Sequence, residues 1–132
     1  MSVETNVKYY LDAGSLGAPC YVGPVRPAQP PAIPVKALFV QQSGGFAPDN
    51  YMDGTATAYR YSRVQIRVRG EPNEYASASS LAASVWSRMH QGAPTGSYTR
   101  VVCEQSQPLY LGRDALQCDE FSVNVILEKR EA

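Results

Sequence analysis

The single histidine, His90, is the residue of this sequence best suited to acid–base chemistry, because imidazole titrates closest to neutral pH. Nucleophilic catalysis would need a serine or cysteine held beside that imidazole. The sequence has no Gly-x-Ser-x-Gly motif to supply one. His90 stands at the end of a predicted helix, where a cation suits the helix dipole. We therefore interpret His90 as a structural residue and predict that the protein is not an enzyme.

The residue types that bind metals or phosphates lack the required spacing. Cys20, Cys103 and Cys118 form no Cys-x-x-Cys motif, and one histidine cannot complete a zinc ligand set. An odd number of widely spaced cysteines is a poor disulfide framework and indicates reduced thiols made in a cytosol. The glycines of 14–17 and 43–45 lack the Lys-Ser/Thr pair of a phosphate loop. We expect no catalytic residue, no metal site and no cofactor.

Length and charge limit the remaining classes of protein. The 132 residues, 44% of them hydrophobic, predict a single folded domain over 1–132. Twelve basic residues balance twelve acidic ones, which argues against a dedicated nucleic-acid binder and leaves little repulsion between subunits. No apolar run approaches the ~20 residues that span a bilayer, so we expect no membrane insertion.

Hydrophobic periodicity predicts the order helix, extended segment, strand, strand, helix, strand, strand. The helices cover residues 3–12 and 73–90, the strands cover 35–42, 61–69, 98–106 and 121–128, a further short strand is at Tyr21-Val22, and 107–118 form an irregular turn region. The predicted fold class is α+β. A mostly antiparallel four- to five-stranded sheet carries the main helix on one face, and a short helix precedes it.

The main helix should begin after Pro72 and end near Gly92. One apolar stripe along it should face the sheet. That stripe consists of Tyr75, Ala78, Ala82, Val85, Trp86 and Met89.

A stripe of three arginines lies on the strand before the main helix. Val64, Ile66 and Val68 alternate with polar residues, which predicts a strand buried on one face only. The opposite face carries the arginine stripe, Arg63, Arg67 and Arg69. It has two interpretations. The arginines either pair across strands, with residues such as Glu104 or Glu128, or they meet an acidic partner, another subunit or DNA.

Two irregular segments have more apolar surface than a lone monomer would readily cover. The arm 13–34 holds six of the ten prolines and should be extended. The long connection 43–60 carries Tyr51, Met52 and Tyr59, residue types enriched at interfaces. A cyclic ring needs two different contact patches per subunit. We predict that these two segments supply much of them.

Several residue strings together resemble the tail-terminator or minor-capsid family of long-tailed bacteriophages. They are VQIRVRG at 64–70, an Ala-rich helix, PLYLGRD at 108–114 and FSVNV at 121–125. The resemblance covers residues 35 to 130. The end of the VRG strand before the helix and the P-x-Y-L-G-R-D turn are its most specific elements.

This resemblance implies a virion structural protein, made in the host cytoplasm, that forms a ring of usually six copies on the head-facing end of the tail tube. The ring would stop tube polymerisation and present the surface that docks to the connector of the head. Its partners would be other copies, the tail tube protein and a head-completion or connector protein, with DNA nearby in the lumen. Gly70 and Gly112 would permit turns, and Arg113 and Asp114 would fix a loop or a neighbour.

Three alternatives remain at this stage. A head–tail joining or tail-completion protein of the same particle would share most of these features. A sheet that binds single-stranded nucleic acid needs stacked aromatic residues and a basic groove. An enzyme would need serine or aspartate groups that converge on His90 in a pocket.

Overall fold

Two long antiparallel strands form the centre of the fold. The computed structural model describes residues 2–23, 36–45, 49–50, 57–94, 98–113 and 117–130. Its elements are α1 (Val3–Ala13), β1 (Cys20–Val22), β2 (Ala37–Gln42), β3 (Asp49–Asn50), β4 (Thr57–Pro72), α2 (Tyr75–Met89), β5 (Tyr98–Cys103), β6 (Leu109–Arg113) and β7 (Cys118–Arg130). The α+β class predicted from the sequence is confirmed.

The sheet is built around the pairing of β4 with β7. Its strand order is β1-β2-β4-β7-β5, with β3 also paired to β4 and β6 also paired to β7. The pair β1–β2 is parallel, whereas the other strand pairs in the described ranges are antiparallel. Because β7 is 13 residues long, β5 and β6 lie one after the other along the same edge of it.

Both helices pack on one face of this sheet. The alternating residues of β4 set that face, since Val64, Ile66 and Val68 lie opposite Val125, Val123 and Phe121 of β7. All six are buried in the core with the inner faces of α1 and α2. The predicted half-buried strand is therefore confirmed, and the core is one layer between the helices and the sheet.

The short first helix is stabilised at both ends. The Ser2 hydroxyl accepts a hydrogen bond from the backbone N–H of Thr5, as an N-cap residue does. At the other end Arg88 of α2 donates from Nε to the carbonyl of Tyr10 at 2.8 Å, and its guanidinium stands 4.0 Å from the centre of the Tyr10 ring. This contact joins the two helices and satisfies a carbonyl that the helix end leaves unpaired.

The main helix differs in detail from its sequence prediction. Pro72 is the last residue of β4, and α2 begins at Tyr75. Of the predicted stripe, Ala78, Ala82, Val85 and Met89 are buried, whereas Trp86 is half-buried and Tyr75 is 50% exposed. Tyr75 faces the sheet as predicted, since its ring contacts Tyr110 of β6 and Phe121 of β7, but half of the residue stays exposed.

The sheet has more strands than the four or five predicted. Residues 109–113 form β6 inside the segment that we interpreted as an irregular turn. In the connection 43–60, residues 49–50 form β3 and Thr57 already belongs to β4, whereas 46–48 and 51–56 lie outside the described residues. Of the proline-rich arm, residues 13–23 are described, and they include the short strand β1.

The two glycines that were expected to permit turns both lie inside strands. Gly70 lies inside β4, next to Ala78 of α2. Gly112 lies inside β6 with φ +113°, at an irregularity in its pairing with β7 between Tyr110 and Gly112. A positive φ of this size is open to glycine and strained for other residues, so Gly112 forms a β-bulge.

Candidate interaction surface

The face of the sheet opposite the helices, here called the open face, carries the arginine stripe and a polar ladder. Gln65 donates from its side-chain amide to the Ser122 hydroxyl at 3.0 Å. Farther along β7, the Asn124 amide donates to the side-chain oxygen of Gln105 at 3.3 Å. The first contact joins β4 to β7, and the second joins β7 to the segment after β5, so these polar side chains have partners within the subunit.

Arg63 has the cross-strand partner that the sequence suggested. Its Nε and Nη2 donate to the two carboxylate oxygens of Glu104, the second at 2.6 Å. Two parallel hydrogen bonds of this kind give the pair a defined geometry. The hydrogen bond to Glu104 also raises the pKa of the Arg63 guanidinium. At Arg63 the structure therefore supports pairing within the subunit.

Arg67 is held less tightly than Arg63. Its guanidinium lies 5.0 Å from the centre of the Phe39 ring, and its Nε is 3.9 Å from a carboxylate oxygen of Glu120. That distance is an ion pair but too long for a hydrogen bond. Phe39 stacks in turn on Tyr21 with ring centres 5.9 Å apart, yet it is only 2% exposed. It is therefore not available as a platform for nucleic-acid bases.

Arg113 binds Asp119, and Asp114 lies outside the described residues. Arg113 Nε donates to Asp119 Oδ1 at 2.9 Å, and the Tyr110 hydroxyl donates to the same oxygen at 2.7 Å. Arg113 Nη1 also donates to Asn73 Oδ1 at 3.2 Å. The Asp119 side chain is fully buried, and hydrogen bonds from Arg113 and Tyr110 lower its pKa. The cluster fastens β6 to β7 and to the connection before α2.

A ridge of exposed apolar side chains lies along the edge strand β6, where Tyr110 packs with Tyr75 on the helix face and its neighbour Leu109, opposite Ser122, projects from the open face. Its members are Tyr75, Leu109, Tyr110 and Leu111, each between 45% and 50% exposed. Tyr110 and Phe121 have ring centres 5.2 Å apart, and Tyr75 contacts both rings. The packing of these three rings gives the ridge a firm base. The ridge is called the apolar ridge below.

A hollow of about 270 Å³ opens on the open face, beside the C-terminal half of β7. Val102 and Ile126, which are cross-strand neighbours, form part of its lining. The rest of the lining comes from Tyr61, Arg100 and Glu128. The hollow is called the open-face hollow below. It has apolar walls and one residue of each charge, a composition suited to an apolar side chain of another protein.

His90 has a structural place in the fold. Its ring stacks on Trp86 with centres 4.7 Å apart, and its Nδ1 accepts a hydrogen bond from the backbone N–H of Cys103 at 3.2 Å. The backbone N–H of Gln91 donates to the Val101 carbonyl at 2.8 Å. The end of α2 therefore pairs with backbone groups of β5, one of the outer strands of the sheet. These groups are then not available to pair with a strand of another chain.

The cysteines are thiols in the protein interior. Cys20, Cys103 and Cys118 are all free. Burial raises the pKa of both Cys20 and Cys103 to about 12, so both stay protonated at neutral pH. In the part of the chain that the structure describes, no three His, Cys, Asp or Glu residues are grouped as metal ligands. No helix there is both long and apolar enough to cross a membrane.

Replacing His90 tests its structural role. We expect His90→Ala to destabilise the protein by about 1 kcal/mol, because the Cys103 N–H loses its acceptor. His90→Asn, which keeps an oxygen acceptor on a short side chain, should recover part of this loss. Urea unfolding of the three proteins measures the difference. A stability unchanged in His90→Ala would contradict the role given to this hydrogen bond.

The predicted interface residues fall into three groups. Tyr51, Met52 and Asp114 lie outside the described residues. Tyr59 lies in β4, half-buried, and not in a loop. Arg63, Arg67 and Arg113 each form an ion pair within the subunit, and Arg69 in β4 is buried, with only 9% of its surface exposed.

Sequence reasoning missed the two apolar features. Alternation along 121–128 places Ile126 on the outward face with Ser122 and Asn124, but Val101, Val102 and Cys103 are all apolar, so the pattern did not show that Val102 also faces outward. Three residues of the apolar ridge lie in the string PLYLGRD, where the proline and glycine indicated a turn. The unusual feature of that string is three consecutive large apolar residues, a signal that could have marked the surface.

Comparison with known proteins gives a match at the level of a protein family. No curated protein is similar enough to the chain to count as a match. A family model described as bacteriophage tail terminator protein matches residues 20–130. The match runs from the first residue of β1 to the last residue of β7, so it covers the whole sheet together with α2. The chain therefore belongs to the bacteriophage tail terminator family, a family of structural proteins of the virion tail.

Proposed function

We propose that this protein forms a ring of six copies that closes the head-facing end of the phage tail tube. The ring ends polymerisation of the tube and offers its other side to the connector of the head. The match of residues 20–130 to the tail terminator family is the observation that carries this proposal. The partners are then other copies of the chain, the tail tube protein and a head-completion or connector protein, and the place of action is the virion.

The surface chemistry supports an assembling protein. The apolar ridge exposes large side chains that a monomer would leave in water, and the open-face hollow offers apolar walls. The balance of twelve basic and twelve acidic residues leaves little long-range repulsion between copies. A cyclic ring uses two different patches on each subunit, and exposed apolar area at more than one place on the surface is what such contacts would bury.

The segments 13–34 and 43–60, with Tyr51, Met52 and Tyr59, belong to the same proposal as further contacts within the ring. Arg67 and Arg69 of the open face and the pair Arg113 and Asp114 are proposed contacts of the same kind. Arg67 is the better supported of these. Its Nε is 3.9 Å from Glu120, too far for a hydrogen bond, so the Arg67 guanidinium can still bind an acidic side chain of a neighbour.

A head–tail joining or tail-completion protein of the same particle is the second candidate. Such a protein would also present an assembling surface, but the length of the tail would not depend on it. A sheet that binds nucleic acid is less favoured, because Phe39 is buried and Arg63 is occupied by Glu104.

Tail length distinguishes the two candidates. We expect particles assembled without this protein to carry tubes of uneven and excessive length, because nothing ends polymerisation. Supplying the protein from a plasmid should restore a uniform length. Electron microscopy of tails from the deleted and complemented phage measures the distribution. Tails of normal, uniform length that fail to join heads would contradict a terminator and indicate the joining protein.

A further inference from the structure

We propose that residues 24–35, here called the crossover segment, dock on the open face of their own copy and cover the part of it that β2 forms. The segment connects β1 to β2 and lies outside the described residues. Its place follows from the directions of the strands, from the burial of three side chains and from its own length. It depends neither on the ring nor on the proposed function.

The directions of the strands decide which face the crossover segment passes over. It joins the parallel strands β1 and β2, and α2 joins β4 to β5, which are parallel to each other because both are antiparallel to β7. Both connections step toward the β5 edge of the sheet, but β2 is antiparallel to β4. Connections between parallel strands are right-handed in about 98% of cases. Two right-handed connections of this kind lie on opposite faces, so the crossover segment passes over the open face.

Three side chains of the open face are buried where this path would lie. Ala37 is 0% exposed, Phe39 is 2% and Arg69 is 9%. All three belong to the open face, since Ala37 lies opposite Arg69 and Phe39 lies opposite Arg67. Both helices pack on the other face, and the described strands all belong to the sheet itself. Tyr21 and Arg67 contact the Phe39 ring, but neither contact accounts for the full burial of Ala37.

The two ends of the crossover segment explain where the buried part stops. At its start the backbone N–H of Gly23 donates to the Val40 carbonyl at 2.7 Å, and the segment ends next to Lys36. It therefore returns along β2 from residue 40 toward residue 37, over Phe39 and Ala37. Gln41 lies on the same face beyond this path, and it is exposed.

The other segments outside the described residues begin elsewhere. Residues 46–48 and 51–56 follow the opposite end of β2, beyond Gln42. Residues 95–97 precede β5, residues 114–116 follow β6, and the rest are the ends of the chain. The crossover segment is thus the one whose end adjoins Ala37.

The length of the crossover segment favours docking on its own copy. Its ends are four residues of β2 apart, which is about 13 Å at 3.3 Å per residue. Twelve residues in the polyproline conformation span about 37 Å. The excess of about 24 Å has to serve an outward and a return path, so the segment reaches about 12 Å to the side, or two to three strand spacings. It can cover β2 and β4, whereas docking on another copy would require the β2 of that copy within the same reach.

The composition of the crossover segment suits a sheet face. The backbone groups of the strands beneath it are already paired, so a segment lying there finds no backbone partner. Each proline removes an N–H that would need one, and its fixed φ lowers the entropy lost on ordering. The segment has one charged residue, Arg26. It contains five prolines and the apolar residues Val25, Ala28, Ala32, Ile33 and Val35.

Docking divides the open face into two parts. The part over Ala37 and Phe39 is not available to another protein, and the crossover segment meets a neighbour only with its outer side. The part beside β5 and β7, with the open-face hollow, stays accessible. A contact with a tail or head protein through this face would therefore use the second part.

Thiol reactivity at residue 37 tests the docking. Ala37→Cys places a small reactive group beneath the crossover segment, and Gln41→Cys places the same group on the exposed part of the same face. We expect Ala37→Cys to react with a water-soluble maleimide about a hundred times more slowly, because the reagent enters only when the segment opens locally. Mass spectrometry of peptides locates the label, and the parent protein gives the background of the native cysteines. Equal rates at the two residues would overturn the proposal.

Replacing the crossover segment identifies it as the cover. Twelve Gly and Ser residues in place of 24–35 keep the connection and remove the side chains that dock. Ala37→Cys should then react nearly as fast as Gln41→Cys, whose own rate should not change. Protection of residue 37 that persists in this variant would mean that the crossover segment is not the cover. A second measurement uses the parent protein: nuclear Overhauser effects should join the Phe39 ring to methyl groups of Val25, Ile33 or Val35, and their complete absence would also overturn the proposal.

Mixing distinguishes docking within one copy from docking on a neighbour. The variant with the Gly and Ser segment and Ala37→Cys is mixed with an excess of parent protein, which has the natural segment and no thiol at residue 37. We expect the thiol to stay reactive. Protection restored by the parent protein would show that the segment comes from a neighbouring copy, and would overturn docking on its own copy. None of these outcomes bears on tail length, so the proposed function stands or falls separately.

Discussion

Gly70→Ala is expected to destabilise the protein by about 1–3 kcal/mol, the range for overpacking a filled core. A methyl group at residue 70 would stand 3.0 Å from the Cα of Ala78 and closer still to its Cβ. Both groups belong to regular elements, so relief requires α2 to move away from β4. That movement would loosen the contacts of Leu81, Ala82 and Val85 with the sheet as well.

A double-mutant cycle isolates the collision. Ala78→Gly alone should cost about 1 kcal/mol, the usual penalty of glycine inside a helix. Combined with Gly70→Ala it removes the opposing methyl group, so the double variant should be more stable than the sum of the two losses predicts. Thermal unfolding of the four proteins gives the coupling. Losses that simply add would mean that the two residues do not collide.

Gly70 also shows where sequence reasoning about β4 stops. The alternation of Val64, Ile66 and Val68 correctly predicted a strand with one buried face, because that pattern depends only on the local geometry of the chain. The glycine after it was interpreted as the end of the strand. Its actual reason is the approach of α2, which comes from a residue eight positions later and cannot be seen in the local pattern.

The string at 109–113 failed for a related reason. Pro108 and Gly112 are typical of a turn, and the segment is too exposed to alternate like a half-buried strand. It is a strand because β7 extends beyond β5 and leaves a free length of edge, from Asp119 to Ser122, for β6 to pair with. The long reach of β7 is a property of the assembled sheet, so the local sequence of β6 could not reveal it.

The arginine stripe was placed on the correct face, but its energetics were beyond the sequence. Alternation placed all three arginines on one face of β4 and the apolar residues of β4 on the other face. The pairing of Arg63 and Arg67 depends on Glu104, just after β5, and on Glu120 of β7. The same limit applies to the interaction surface. Its apolar ridge joins α2 to β6, and its hollow joins β4, β5 and β7, so neither is contiguous in the sequence.

The buried carboxylate of Asp119 predicts a defined dependence of stability on pH. Hydrogen bonds from Arg113 and Tyr110 lower its pKa in the folded protein below the value of about 4 that it has when unfolded. The stabilisation by the ionised form is therefore fully present above pH 4–5, and is lost as the pH falls from there through the folded pKa. Asp119→Asn should lower Tm at neutral pH and remove this dependence.

The difference in Tm between the parent protein and Asp119→Asn is the quantity to follow from pH 7 to pH 2.5. It should be constant down to about pH 5 and shrink steadily below pH 4. Glu71→Gln, which changes an exposed carboxylate at the end of β4, should show a far smaller difference at neutral pH. A difference for Asp119→Asn that stays constant to pH 2.5 would mean that its charge does not stabilise the fold. In that case the pairing of β6 with β7, which carries the apolar ridge, would depend on the neutral hydrogen bonds of Asp119 and on the contact of Tyr110 with Phe121.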